Sequence, residues 1–171
     1  MKKAISSYHI GVAAEAFAAA QFARYGYDVS VQYGANQPEY DLIASKGDAL
    51  LKVSVKGSQD GGWGLTQNYK AGCTYHEATA KWLAAHHKTT IFCLVQFLGV
   101  EPMMLPKLYL ATPAEIAAVL DASAGGKGDT VLREYHKWGE RSSAHGTIDK
   151  IPETWLFTEQ RAEELFSTHA L

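Results

Sequence analysis

The sequence predicts an α/β domain. Three observations carry that prediction: an Ala-rich helix opens the chain, three short strands follow it with the last two in a hairpin, and two later capping-box signatures each start a helix beside an apolar strand. From Tyr8 to Tyr25 the residues are mostly Ala, Phe, Val and Ile, with Ser6 and Ser7 as candidate N-caps and Gly26 as candidate C-cap. Tyr27 to Tyr33 alternates and is rich in Val and Tyr, and Tyr40 to Ala44 is a short apolar run. Ala49 to Lys56 alternates after the turn Ser45-Lys46-Gly47-Asp48, so these two runs form a hairpin with Ala44 opposite Ala49 and Asp41 opposite Lys52. Gly57 to Gly62 breaks the pattern, and Trp63 to Gln67 suits a fourth strand.

Thr74 with Glu77 has the capping-box form and starts a helix that runs to about His87. Thr89 to Leu98 is an apolar strand, Leu108 to Ala111 another, and Thr112-Pro113-Ala114-Glu115 starts a helix that stops near Ser123. Thr130 to Trp138 reads as a strand, Glu140 to Lys150 as a polar loop, and Thr158 caps a terminal helix toward Phe166. The order is αβββ(β)αβ followed by βαβα. No repeat or long linker interrupts it, so residues 1–171 form one domain, with a core over 1–100 and a C-terminal extension over 101–171.

Composition narrows the function. The 171 residues are 47% hydrophobic and 20% charged, enough for a sizeable core, and the formal net charge of -2 argues against a protein that coats nucleic acid through bulk charge. Two cysteines, Cys73 and Cys93, are too few for a disulfide scaffold, which points to a reducing, cytoplasmic setting. No signal peptide is expected at the start, and no run of about 18 apolar residues predicts a membrane span. His86 and His87 are adjacent, roughly 100° apart on a helix, and read as solvated rather than ligating.

Glu15 is the first anomaly, the one charged residue between His9 and Arg24. Its bland reading is a water-facing position. Yet Gln21, the other polar residue of that stretch, lies roughly 240° round the helix and shares no stripe with it. The hairpin adds a second anomaly. Strand period two puts Asp41, Lys52, Ser54 and Lys56 on one side and Val53 and Val55 on the other. A charged hairpin face is ordinarily the solvent side of an antiparallel sheet. The upstream acid and the ending Gly57-Ser58-Gln59, which lets a phosphate backbone come close, favour a site.

Glu15 in its Ala-rich helix, Pro38-Glu39-Tyr40-Asp41-Leu42-Ile43-Ala44, and Leu51-Lys52-Val53-Ser54-Val55-Lys56-Gly57-Ser58 together resemble the PD-(D/E)xK nuclease superfamily, which includes Holliday-junction resolvases and many restriction enzymes. The resemblance implies a restriction-endonuclease-like αβββαβ core, a mixed central sheet flanked by helices, with a C-terminal βαβα extension. It also implies a Mg²⁺-dependent or Mn²⁺-dependent DNA phosphodiester hydrolase of a defence, repair or mobile-element system, pairing as a homodimer where two strands are cut. Glu15, Asp41 and the Val55 carbonyl would hold the metal, and Lys56 would position or activate the attacking water, with Ser54 completing the catalytic set. Lys52, Ser58, Gln59 and Trp63 are the candidate DNA contacts.

The chemistry accounts for these residue types. A phosphodiester is anionic, so a hard cation held by carboxylate oxygens and a lysine beside it stabilise the charge of the transition state. Ser54 departs from the pattern, since it stands where the family has Asp, Glu or sometimes Gln and a hydroxyl is a poor Mg²⁺ ligand. Three accounts stay open: one metal held by Asp41, the Val55 carbonyl and waters, a displaced acid at Asp60 or Glu77, or loss of catalysis. The last makes the chain an inactive nuclease-like fold that regulates by binding nucleic acid or protein. Glu77 also has a bland role in the capping box with Thr74. Weaker candidates for DNA contact are Gln67, Tyr69 and Lys70 and the basic run Arg133, His136, Lys137 and Arg141. A cysteine hydrolase is disfavoured because neither cysteine has a histidine in a nucleophile context.

Overall fold

Ser6 begins the first helix, α1 (Ser7–Arg24), by accepting a hydrogen bond from the His9 backbone N–H. Gly26, with φ of +81°, turns the chain at its end. The computed structural model describes residues 5–32 and 39–171. The start at 1–4, Tyr33 at the predicted end of the first strand, and Pro38 of the motif lie outside them.

Three strands follow, β1 (Asp28–Val31), β2 (Leu42–Lys46) and β3 (Ala49–Ser58), each antiparallel to the one before. The hairpin register differs from the predicted one by two residues: Lys46 pairs with Ala49, and Ile43 rather than Asp41 faces Lys52. Gly47 explains the difference, because its φ of +63° permits a two-residue turn at Gly47 and Asp48 and returns Ser45 and Lys46 to the strand. A shift of two preserves strand parity, so the predicted division of faces survives.

The next strand, β4 (Gly62–Gly64), is shorter than the predicted Trp63 to Gln67, and Gln67–Tyr69 is a 3₁₀ turn. Helix α2 (Tyr75–Ala84) and strands β5 (Thr90–Gln96) and β6 (Lys107–Ala111) follow, then α3 (Pro113–Gly126). Both predicted capping boxes form, Thr74 with Glu77 and Thr112 with Glu115. Helical geometry in α3 breaks at Ser123, the predicted stop.

The five-stranded sheet has the order β1-β2-β3-β5-β6, mixed because β3 and β5 run parallel. One face packs on α1 and the terminal helix α4 (Glu159–His169), through Ala14, Ala18, Phe22, Ala162 and Leu165 against Val53, Val55, Cys93 and Leu110. The other packs on α2 and α3, through Trp82, Ile116 and Leu120 against Phe92, Leu94 and Tyr109. The result is a three-layer α/β/α arrangement.

β4 pairs with β7 (Val131–Arg133), outside the main sheet. Two expectations are corrected. The predicted strand Thr130 to Trp138 divides at Glu134 into β7 and β8 (Tyr135–Lys137), because the two halves bond to different partners. The stretch read as a loop over Glu140 to Lys150 contains β9 (Ile148–Lys150), paired with β8 and fixed by Asp149, which accepts bonds from Trp138 Nε1 and the Ala124 N–H. The segment from β7 to β9 is thereby tied to the α3 side. Among the described residues, no helix is long and apolar enough to cross a membrane.

Candidate functional site

Asp41 stands where β2 and β3 part. Its backbone N–H still donates to the Val53 carbonyl at 2.9 Å, but its side chain takes over from there: Oδ2 accepts from the Val55 N–H at 2.5 Å and from Ser54 Oγ at 3.4 Å. The carboxylate occupies the place of a ladder carbonyl. It is therefore fixed against the Ser54-Val55-Lys56 segment by the same bonds that build a sheet.

Helix α1 reaches that segment because of Gly57. A Cβ at Gly57 would lie 2.8 Å from Ile10 Cγ2 and 3.0 Å from both Ala14 Cβ and the Ile10 carbonyl, so only glycine lets α1 settle on β3 here. Glu15 follows Ala14 and is half-buried. Its carboxyl is held above its ordinary value, first by burial and then by the negative charge of Asp41, with the positive charge of Lys56 acting in the opposite sense. The three residues singled out in the sequence thus lie within electrostatic reach of one another. Lys56 is exposed, and among the described residues no carboxylate approaches it within ion-pair distance.

Comparison of the chain with protein-family models, with curated proteins and with solved structures returns no match.

The remaining candidates fall into different places. Ser54 is buried in the middle of the sheet, paired across to Phe92, rather than on an open face. Parallel pairing with β5 covers it. Ser58 is also buried, and its hydroxyl donates to Asp60 Oδ1 while accepting from the Gly62 N–H, which makes it a turn-forming residue instead of a DNA contact. Asp60 is occupied in the same turn, where its Oδ1 also accepts from the Gly62 N–H. Trp63 is only 3% exposed and donates from Nε1 to the Lys56 carbonyl at 2.9 Å, so it braces the lysine strand from below and offers no stacking surface. Gly57 brings α1 onto β3. Lys52 sits with Nζ 5.3 Å from the centroid of the Tyr40 ring, and Gln59 is exposed, donating to the Ile5 carbonyl.

Glu77 does what the capping box requires, accepting from the Thr74 N–H at 2.7 Å. Among the described residues, no three His, Cys, Asp or Glu side chains gather in a metal-holding group, so neither Glu77 nor Asp60 joins Glu15 and Asp41. His86 packs on the rings of Trp82 and Phe92 with Nδ1 2.7 Å from the Trp82 carbonyl, and so serves packing where solvation was expected. Lys70 donates to the Cys73 carbonyl, and Arg133 pairs with Asp129 and lies over Trp138. Cys93 is fully buried, and burial pushes its thiol far up, which removes it as a nucleophile.

Sequence reasoning missed a groove of about 320 Å³ that opens beside Lys56, between the start of α1 at Ser7 and Gly11 and the strand residues Gly57, Gly62 and Gly64. Its signal was present as glycines in three separated segments. Only the tertiary packing brings them to one place.

Proposed function

We propose that the chain is a Mg²⁺-dependent DNA phosphodiester hydrolase with a PD-(D/E)xK-type site at Glu15, Asp41 and Lys56. The observation that carries this reading is the pinning of Asp41 to the Val55 N–H beside Lys56, which no carboxylate pairs with among the described residues, with Gly57 admitting the helix that bears Glu15. The restriction-endonuclease-like core implied by the sequence is supported by the order β1-β2-β3-β5-β6 with one parallel pair and helices on both faces.

The donor set fits a hard divalent cation. Burial and then the charge of Asp41 raise Glu15, and a bound cation relieves the second, while the hydrogen bonds to the Asp41 side chain from Val55 and Ser54 fall on Oδ2 and leave Oδ1 for a ligand. Glu15 and Asp41 would hold Mg²⁺, with the Val55 carbonyl as a neutral third donor. When bound, the cation supplies Lewis-acid polarisation of a phosphoryl oxygen and lowers the pKa of a water. Lys56 contributes positive charge where the phosphoryl oxygens become more negative, and Trp63 holds its backbone in place. Ser54 orients Asp41 by donating to it and does not replace an acid.

A second reading, an inactive fold that binds nucleic acid or a protein partner, is favoured by one observation: no third carboxylate joins the pair among the described residues. Plasmid cleavage in Mg²⁺ separates the two. The nuclease reading expects nicking by the natural chain and its loss in Lys56→Ala, by roughly a hundredfold or more, with an unchanged melting temperature because the lysine is exposed. Equal nicking by Lys56→Ala, or none by the natural chain, overturns it.

A further inference from the structure

Gly11 lies inside α1, where glycine is less stable than alanine, yet the fold does not require it. Its φ lies outside the left-handed range that favours glycine, and a Cβ built on it meets nothing within 4 Å. The contrast with the other glycines of this region is plain. A Cβ at Gly57 would strike Ile10, one at Gly62 would strike Val131, and one at Gly64 would strike Gln67. Among the described glycines only Gly139 shares the open surroundings and ordinary φ of Gly11, and it lies in a loop where no helix is weakened. What Gly11 does border is the groove of about 320 Å³ beside Lys56.

Resting on the nuclease reading of the adjoining site, we infer that Gly11 admits the substrate: its missing side chain keeps the groove open for one sugar-phosphate strand passing alongside Lys56. The groove is at the small end of ligand sites, suited to one strand and not to a base pair. It is lined by four glycines together with Ser7, Val55, Leu65 and buried Trp63, with Lys56 as the one charged residue among those lining it. Such walls contact the phosphodiester backbone and offer little to base edges, so the strand is held without sequence readout at this point.

The test measures binding of a short fluorescein-labelled deoxyoligonucleotide by anisotropy, together with melting temperatures, for the natural chain, Gly11→Ala, Gly11→Leu, Lys56→Ala and the α1 control Ala20→Leu. The expected result is a raised melting temperature for Gly11→Ala, affinity falling from Gly to Ala to Leu with roughly a tenfold or greater loss for Gly11→Leu, and no change for Ala20→Leu. A base-free deoxyribose-phosphate oligomer should compete as well as the oligonucleotide. Gly11→Leu binding like the natural chain, while Lys56→Ala binds weakly, overturns the inference and leaves the nuclease reading standing. Binding that depends on Gly11 without any Mg²⁺-dependent cleavage supports the groove and overturns the nuclease reading. No binding by the natural chain overturns the inference.

Discussion

Glu15 is held in a position that costs the folded chain stability when ionised, since partial burial and the charge of Asp41 both raise its carboxyl above the ordinary value. The sign follows from linkage: an acid whose folded pKa is raised contributes stability below its unfolded pKa, and that contribution is lost as pH rises through the folded value. Glu15→Gln should therefore raise the melting temperature at neutral pH, with the gain fading as pH falls through the raised folded value and gone below the ordinary carboxylate range. A thermal-unfolding series across pH checks this, and a Glu15→Gln variant less stable than the natural chain at neutral pH would contradict it. Residues that are destabilising in place yet positioned by their surroundings are characteristic of functional sites. Glu15 was legible in the sequence as a lone charge in an apolar helix. The burial of Ser54 was not, because a serine in an alternating strand fits either face and only the parallel neighbour β5 decides that it is covered.

Helix starts were legible because a cap is local chemistry: Thr74, Thr112 and Thr158 each bond to a backbone N–H three residues on. Hairpin register was less so. The turn Ser45-Lys46-Gly47-Asp48 has two defensible closures, and the positive φ of Gly47 selects the shorter one. Partner choice was the least legible, as for β4 with β7, since pairing between segments far apart in the chain leaves no local mark. The α1 to β3 contact is where element packing bears most directly on the site. Gly57→Ala would place a methyl 2.8 Å from Ile10 Cγ2 and push α1 off β3, an overpacking that costs about 1–3 kcal/mol. Because α1 carries Glu15, Mg²⁺ affinity should fall along with stability. Denaturant unfolding and metal titration of Gly57→Ala check both, and unchanged values for both would show that the close approach is not needed.

At the scale of the whole molecule, the three-layer arrangement buries both faces of the sheet and leaves the Asp41 carboxylate bonded to β3 at the point where β2 and β3 separate. The second core, with Trp63, Leu132, Ile151 and Trp155, explains why the chain continues past the α1-to-β5 portion: it covers the face opposite α1 and supports Lys56 from behind through the Trp63 indole. Stability and site are coupled there, as they are at Gly57. The overall order of elements followed from the sequence because each helix and strand carried its own signal. That Asp41 and Lys56 come within electrostatic reach of Glu15 on α1 leaves no mark in local pattern, because the three residues lie on or next to separate elements.

On the proposed reading, Glu15 and Asp41 together hold a divalent cation. Isothermal titration of Mg²⁺ into the natural chain and into Asp41→Asn addresses it most directly, because asparagine keeps an oxygen for the Val55 N–H while removing the charge. Saturable Mg²⁺ binding by the natural chain is expected, with a loss of roughly tenfold or more in Asp41→Asn and folding retained. Absence of Mg²⁺ binding by the natural chain, or equal binding by Asp41→Asn, would contradict it.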